Sequence, residues 1–407
     1  MKLQNRDRKI VVVGGAGHVG LPLSLVLSEV GFEVSALDIN EEACKSLNAG
    51  VLPFFEKGAN ELLQAGIKSK RFSATSDFNV IHDSDVIIIC IGTPIDIHLR
   101  PTLKNMLELI QNLKSYMRSG QLVILRSTIY PGTTNIISDL LAERDIDLAY
   151  CPERILQGNA LKELKTLPQI ISGKSLNSVN RSKDLFQTFT STIVGEVAEA
   201  EFAKLFLNSY RYIEFAITNQ FFMIANDANL DYSKIMNLMQ KEYPRGTKIP
   251  KAGFSAGPCL LKDTLQVLSY SQNNFSLGNI SFMINEGLAD YVVSWLKNSL
   301  DLNNKVIGIL GMAFKAECDD IRDSLSYRVK KNLELGGISV IASDELVTVD
   351  KELVPTQELL RNSDLFIICT PHNYIRQLDF GSKPVIDIWN LLERGVRLSN
   401  QLSGEFN

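Results

Sequence analysis

The chain has 407 residues, 45% hydrophobic and 22% charged, and its 42 basic and 46 acidic side chains leave a net charge of −4. That length can bury two or three separate cores, and the slightly acidic balance argues against broad nucleic-acid binding. No apolar run approaches the ~20 residues of a membrane helix, and the stretch Ile10 to Val13 is too short for a signal peptide; a cytoplasmic protein with no membrane contact is expected.

In chain order, Ile10 to Val13 reads as a short buried strand. It runs into Gly15-Ala16-Gly17-His18-Val19-Gly20, a GxGxxG pattern. Apolar residues at Leu21, Leu25, Val26 and Val30 then follow helical spacing, Gly31 stops the helix, and "FEVSALD" forms a second strand. Set between a strand and a helix, the glycines allow a tight turn and the close approach of a pyrophosphate to a helix N-terminus. Asp38 ends the second strand, 18 residues after Gly20, where a carboxylate can accept from the ribose hydroxyls of NAD. With Glu41 and Glu42 beside it, it would repel the extra phosphate of NADP. His18 has no evident partner and reads as a loop residue of this cofactor turn.

Further along, "CIGTP" (90–94) and "RSTIYPGTT" (126–134) each follow an apolar strand. Ligands in such sheets lie beyond the carboxyl ends of the strands, which places Thr93 and Thr128 along the cofactor cleft. "CPERILQG" (151–158) adds a carboxylate, Glu153. From Val197 to Asp227 there is neither proline nor glycine, and the stretch reads as one long helix that would join domains and pair with its copy in a dimer. Lys204 and Asn208, four apart, share a face of it, with Arg211 near; their apolar neighbours suggest burial, and a buried lysine needs a partner or a task. At 251–264, "KAGFSAGPCLLKDT" sets Cys259 between a flexible loop and the pair Lys262 and Asp263. A second strand–helix–strand pattern opens at Val306, and "NSDLFIICTPH" (362–372) echoes the "DSDVIIIC" of the first half.

The fold expected is α/β: two doubly wound Rossmann-like domains joined by a long central helix and a helical region. The expected boundaries are 1–196 for NAD binding, 197–300 for a central dimerisation domain and 301–407 for the second Rossmann-like domain. The six cysteines form no CxxC and the four histidines no zinc spacing, so neither metal nor disulfide is expected. A thiol, lysine, amide and two carboxylates beside NAD suggest oxidation of an aldehyde through a hemithioacetal and a thioester, followed by hydrolysis. Lys204 and Asn208 would stabilise each oxyanion, and Asp263 or Glu153 would activate water. A neighbouring ammonium would favour the thiolate of Cys259.

These residues resemble the UDP-glucose/GDP-mannose dehydrogenase superfamily, the nucleotide-sugar 6-dehydrogenases, over nearly the whole chain. The resemblance rests on the glycine loop with Asp38, "GTP" at 92–94, "STIYPGTT", "CPER", "AKLFLNSYR", "GPCLLKD" and "GMAFKAECDDIRDS", in that order. It implies oxidation of a sugar C6 alcohol to a carboxylate with two NAD reduced, Cys259 as nucleophile, and Lys204, Asn208, Glu153, Asp263 and Thr128 assisting. It further implies cofactor contacts at Thr93, Thr128, Lys262 and Arg322, and substrate contacts at Glu153, Arg154, Lys204, Asn208, Arg211 and Lys315. A sugar loop would run from Tyr243 to Gly253, with Arg245 reaching a neighbouring subunit. Ala256 and Gly257 stand where the family usually has two glycines, a departure that bears on sugar contacts rather than thiol chemistry. "CPERILQG" is similar to the UDP-N-acetylhexosamine branch (UDP-ManNAc or UDP-GlcNAc), whereas "CLLKD" leans to UDP-glucose 6-dehydrogenases. A two-electron hydroxyacid-type dehydrogenase and a non-catalytic NAD-binding protein are the rival readings.

Overall fold

The computed structural model describes residues 8–402 apart from Pro94, Ile97, Leu99, Ala256 and Pro258. The chain divides into two compact units, Met1–Leu207 and Asn208–Asn407.

The first unit is built on eight strands: β1 Lys9–Val13, β2 Glu33–Leu37, β3 Phe72–Thr75, β4 Val86–Ile89, β5 Leu122–Leu125, β6 Asp147–Tyr150, β7 Gln169–Gly173 and β8 Thr192–Val194. Their order is β3-β2-β1-β4-β5-β6-β7-β8, and every pair is parallel except β6 with β7. The apolar strand runs have a simple cause. Ile10, Val12, Ile88 and Ile124 enter one core with the helix Gly20–Glu29. Val11, Val13, Ile87, Ile89, Val123 and Leu125 enter another with the helices Lys104–Lys114 and Thr133–Leu141. A parallel sheet covered on both faces needs apolar residues at both phases of the pleat. The order reverses between β1 and β4, which opens a crevice at their carboxyl ends.

The second unit repeats the plan with β9 Val306–Leu310, β10 Ser339–Ser343, β11 Leu365–Ile368 and β12 Val385–Ile386, all parallel in the order β10-β9-β11-β12. The echoed sequences occupy equivalent places: Val86 of β4 pairs with Ile10, and Leu365 of β11 pairs with Ile307. Helices Tyr232–Gln240 and Ser276–Ser299, with the last turns of the long helix, share one core with this sheet through Phe222, Tyr232, Leu288, Val292, Ile307 and Ile367.

The long helix spans Val197–Asp227, as its composition predicts. Glu199 accepts from the Glu196 N–H at 3.1 Å, half of a capping box. The helix ends where Asn229 turns left-handed (φ 61°) and Leu230 N–H reaches back to Ala225 O at 2.8 Å. Glu201, 2% exposed, ties its start to the first unit by accepting from Gly132 N–H, Thr134 N–H and the Thr134 hydroxyl at 2.6, 3.0 and 2.6 Å. Those amides open the helix Thr133–Leu141, where an anionic side chain is favoured.

Candidate active site

In the first unit the turn after β1 is drawn tightly against its sheet. Gly14 has φ +78°, and a Cβ on Gly20 would lie 2.2 Å from Gly14 O, so a side chain at either position would distort the turn. Gly15, Gly17, His18 and Val19 complete the loop, and Gly20 begins the helix Gly20–Glu29. Asp38 stands just beyond β2, partly exposed, accepting from Ala16 N–H and Asn40 N–H at 3.1 Å each. A bare glycine turn at a helix N-terminus with a carboxylate at the next strand end fits the pyrophosphate and ribose of a dinucleotide. His18 does have a partner, a point not evident in the sequence: its ring lies 4.0 Å from that of Phe54.

Beyond β4 and β5, the Thr93 hydroxyl donates to Thr128 O at 2.6 Å, joining the two turns that the sequence sets beside the cofactor. Beyond β6, Glu153 is held from both sides. Its Oε1 accepts from Arg154 N–H and Ile155 N–H at 2.6 and 2.8 Å, and its Oε2 takes Nη2 of Arg126. Arg126 is 1% exposed; it also donates to Gln169 at 2.8 Å and lies 5.1 Å over the Phe186 ring. Arg154 donates to Pro168 O, and burial draws its guanidinium below the usual range against the opposing pull of Glu153. The loop that follows is fastened by buried Glu56, which accepts from Gly158 N–H and Ala160 N–H at 2.9 and 2.8 Å. Arg126, Glu56 and Glu201 have no role in the sequence reading, because each depends on a partner 27 to 104 residues away.

In the second unit Cys259 is exposed and sits directly before the helix Leu260–Tyr270, whose Asp263 N–H donates to Cys259 O at 3.0 Å. Asp263 has no exposed surface. Its Oδ2 accepts from Asn208 at 2.6 Å and its Oδ1 from the Lys262 ammonium at 2.5 Å. Burial pulls the Lys262 ammonium down, but the Asp263 carboxylate and then the Cys259 sulfur outweigh it, and its pKa stands above the usual value. Lys204 and Asn208 are 8% and 5% exposed, on one face of the long helix, whereas Arg211 is exposed. Gly253 N–H donates to Asn219 at 2.9 Å, and a Cβ there would meet the Trp389 ring at 2.4 Å. Arg245 is exposed and lies over its own loop's Tyr243 ring at 4.9 Å. Arg322 forms a paired contact with Asp320 at 2.9 and 2.6 Å, which lifts its pKa. Lys315 is half-buried in the turn after β9. Pro94, Ala256 and Pro258, noted in the sequence, lie outside the described residues.

Glycine turn, strand-end carboxylate and doubly wound sheet define a dinucleotide-binding protein, and a second Rossmann-like sheet follows. Models of the NAD-binding, central and UDP-binding domains of the UDP-glucose/GDP-mannose dehydrogenase family match residues 8–190, 198–285 and 308–394. The chain belongs to that family and is an NAD-dependent nucleotide-sugar dehydrogenase. A UDP-N-acetyl-D-mannosamine dehydrogenase of Methanococcus aeolicus is 28% identical over 97% of this chain and 91% of its own. An NDP-N-acetyl-D-galactosaminuronic acid dehydrogenase of Ralstonia nicotianae is 26% identical over 94% of this chain and 96% of its own. The solved UDP-D-ManNAc dehydrogenase of Pyrococcus horikoshii superposes with a TM-score of 0.84 at 27% identity, covering 91% of each chain.

Proposed function

We propose that the protein oxidises the C6 alcohol of a UDP-N-acetylhexosamine to the uronic acid, with Cys259 as the nucleophile. The observation that carries this reading is the exposed Cys259 thiol at a helix start, one turn from the buried Lys262–Asp263–Asn208 cluster. NAD, when bound, takes up the hydride of each oxidation. The Cys259 sulfur adds to the aldehyde carbon as a hemithioacetal; loss of hydride leaves a thioester, and water releases the acid and the free thiol. The Lys204 ammonium and the second N–H of the Asn208 amide donate to the oxyanion at each tetrahedral stage. Asp263 has no exposed surface, so its role is to hold Asn208 and Lys262. The Glu153 side chain keeps 12% of its surface exposed, which favours it as the group that activates water. The family resemblance assigns Thr93, Thr128, Lys262 and Arg322 to cofactor contacts and Arg154, Lys315, Gly253 and Arg245 to contacts with the sugar nucleotide.

The N-acetylated sugar is supported by the "CPERILQG" run and by the names of relatives acting on such sugars. UDP-glucose is the second reading, favoured by Lys262 in "CLLKD". The product would feed surface polysaccharide synthesis in the cytoplasm. No helix among the described residues is long and apolar enough to cross a membrane. Tyr210, Ile217, Phe221 and Ile224 leave an apolar face of the long helix exposed, and we read it as the seam of a homodimer.

The test is a panel of UDP-sugars with excess NAD. Two NADH per UDP-ManNAc or UDP-GlcNAc, with the acid as product, is the expected result. One NADH with released aldehyde would favour the two-electron rival, and NAD binding without turnover on any sugar would favour a non-catalytic role. Cys259→Ser should bind NAD normally and release no acid; unchanged turnover would refute the nucleophile.

A further inference from the structure

His372 has no exposed surface, and none of the chemistry above uses it. Its Nδ1 accepts the Glu317 N–H at 3.0 Å, so that nitrogen carries no proton. The proton is therefore on Nε2, which donates to Asp344 Oδ2 at 3.1 Å. With both nitrogens occupied inside the protein, the imidazole is not a general base for a ligand. It is instead one link in the brace of the turn that follows β9. Asp344, just beyond β10, accepts from Met312 N–H and Ala313 N–H at 2.7 and 3.0 Å, which fixes the near end of that turn. The Thr370 hydroxyl donates to Ala313 O at 2.5 Å. His372 fixes the far end at Glu317, whose own carboxylate accepts the Asn373 N–H at 2.8 Å. Lys315 lies between the two fastened points.

Comparison with the first unit sharpens the assignment. Asp38 occupies the equivalent place, accepts from the equivalent turn and remains partly open to solvent. The Asp344 side chain has no exposed surface, and His372 is one of the groups that close it off. The carboxylate that can meet a ribose in the first unit is internal in the second, and recognition there is left to side chains of the turn itself.

We infer that His372 is a positioning residue: it ties Glu317 to Asp344 and so sets the 312–317 turn in the shape that presents Lys315 to the sugar nucleotide. This rests on the nucleotide-sugar reading of the second unit. The test uses the full chain and three variants. His372→Gln keeps a donor for Asp344 and loses the acceptor for Glu317, His372→Asn does the reverse, and His372→Ala loses both. UDP affinity is measured by calorimetry, alongside KM for the sugar nucleotide and for NAD. UDP affinity should fall, and the sugar-nucleotide KM rise, about ten-fold in His372→Gln, while the NAD KM stays within about two-fold. Free imidazole should restore part of the loss in His372→Ala. Native UDP affinity in all three variants, or an equal rise in both KM values, overturns the assignment. A native chain that does not bind UDP would overturn the nucleotide-sugar reading itself, and the assignment with it.

Discussion

Arg126 and Glu153 form a charge pair whose cation is fully buried, and such pairs are costly to break from one side. Removal of one partner leaves an uncompensated charge and typically costs about 3–5 kcal/mol. Arg126→Met should therefore lose about 3 kcal/mol in urea unfolding, the lower end because Glu153 keeps some water contact. The Arg126→Met/Glu153→Gln double variant should recover much of that. A loss below about 1 kcal/mol in the single variant would mean that the pair contributes little. At Asp344, burial pushes the carboxyl up, but the His372 N–H and the backbone N–H groups of Ala313 and Leu346 outweigh it, and the pKa falls below its usual value. The folded chain thus takes up this proton less readily than the unfolded one. The resulting stability is complete above the unfolded value of ~3.9 and is lost as the pH drops through the lower folded value. Asp344→Asn should cost about 2 kcal/mol at neutral pH, flat down to about pH 5, with the gap to native closing in the acid range. An undiminished gap at the most acidic pH where the native chain still folds would exclude the charge as the cause. Cys259, Lys262 and Asp263 were legible in the sequence because they are adjacent. Arg126 and His372 were not, because hydrogen bonds to distant loops leave no local pattern.

Among the elements, the long helix was readable end to end: 31 residues without a breaker admit few alternatives. Its buried stripe, with Glu201, Lys204, Leu205, Asn208 and Ser209, was readable only in part, since a polar residue inside that stripe looks the same as one on a solvated face. Antiparallel β7 was not foreseen. It follows the 151–159 loop and the helix Ala160–Thr166, after which the chain leaves the parallel winding. Glu56 is the fastening of that loop. Glu56→Gln keeps one acceptor for two N–H groups, so amide exchange at Gly158 and Ala160 should quicken about ten-fold. Exchange over 10–20 should be unchanged; an equal rise across both segments would indicate general loosening instead.

For the molecule as a whole, the twofold use of one winding pattern was visible in "DSDVIIIC" and "NSDLFIIC", because buried parallel strands leave uninterrupted apolar runs. What the repeat did not reveal is that its two carboxylates diverge, Asp38 partly open and Asp344 enclosed. The exposed apolar face of the long helix yields a prediction at this scale. Phe221→Asp with Ile224→Asp should convert a two-chain particle into single chains in sedimentation velocity; an unchanged particle would place the seam elsewhere. Cys259 is exposed, Cys90 is half-buried and the other four sulfurs are buried. A mild alkylating reagent applied to the folded protein should therefore modify one sulfur per polypeptide, in step with the loss of turnover. Mass spectrometry of the intact chain would then count competent molecules in any preparation.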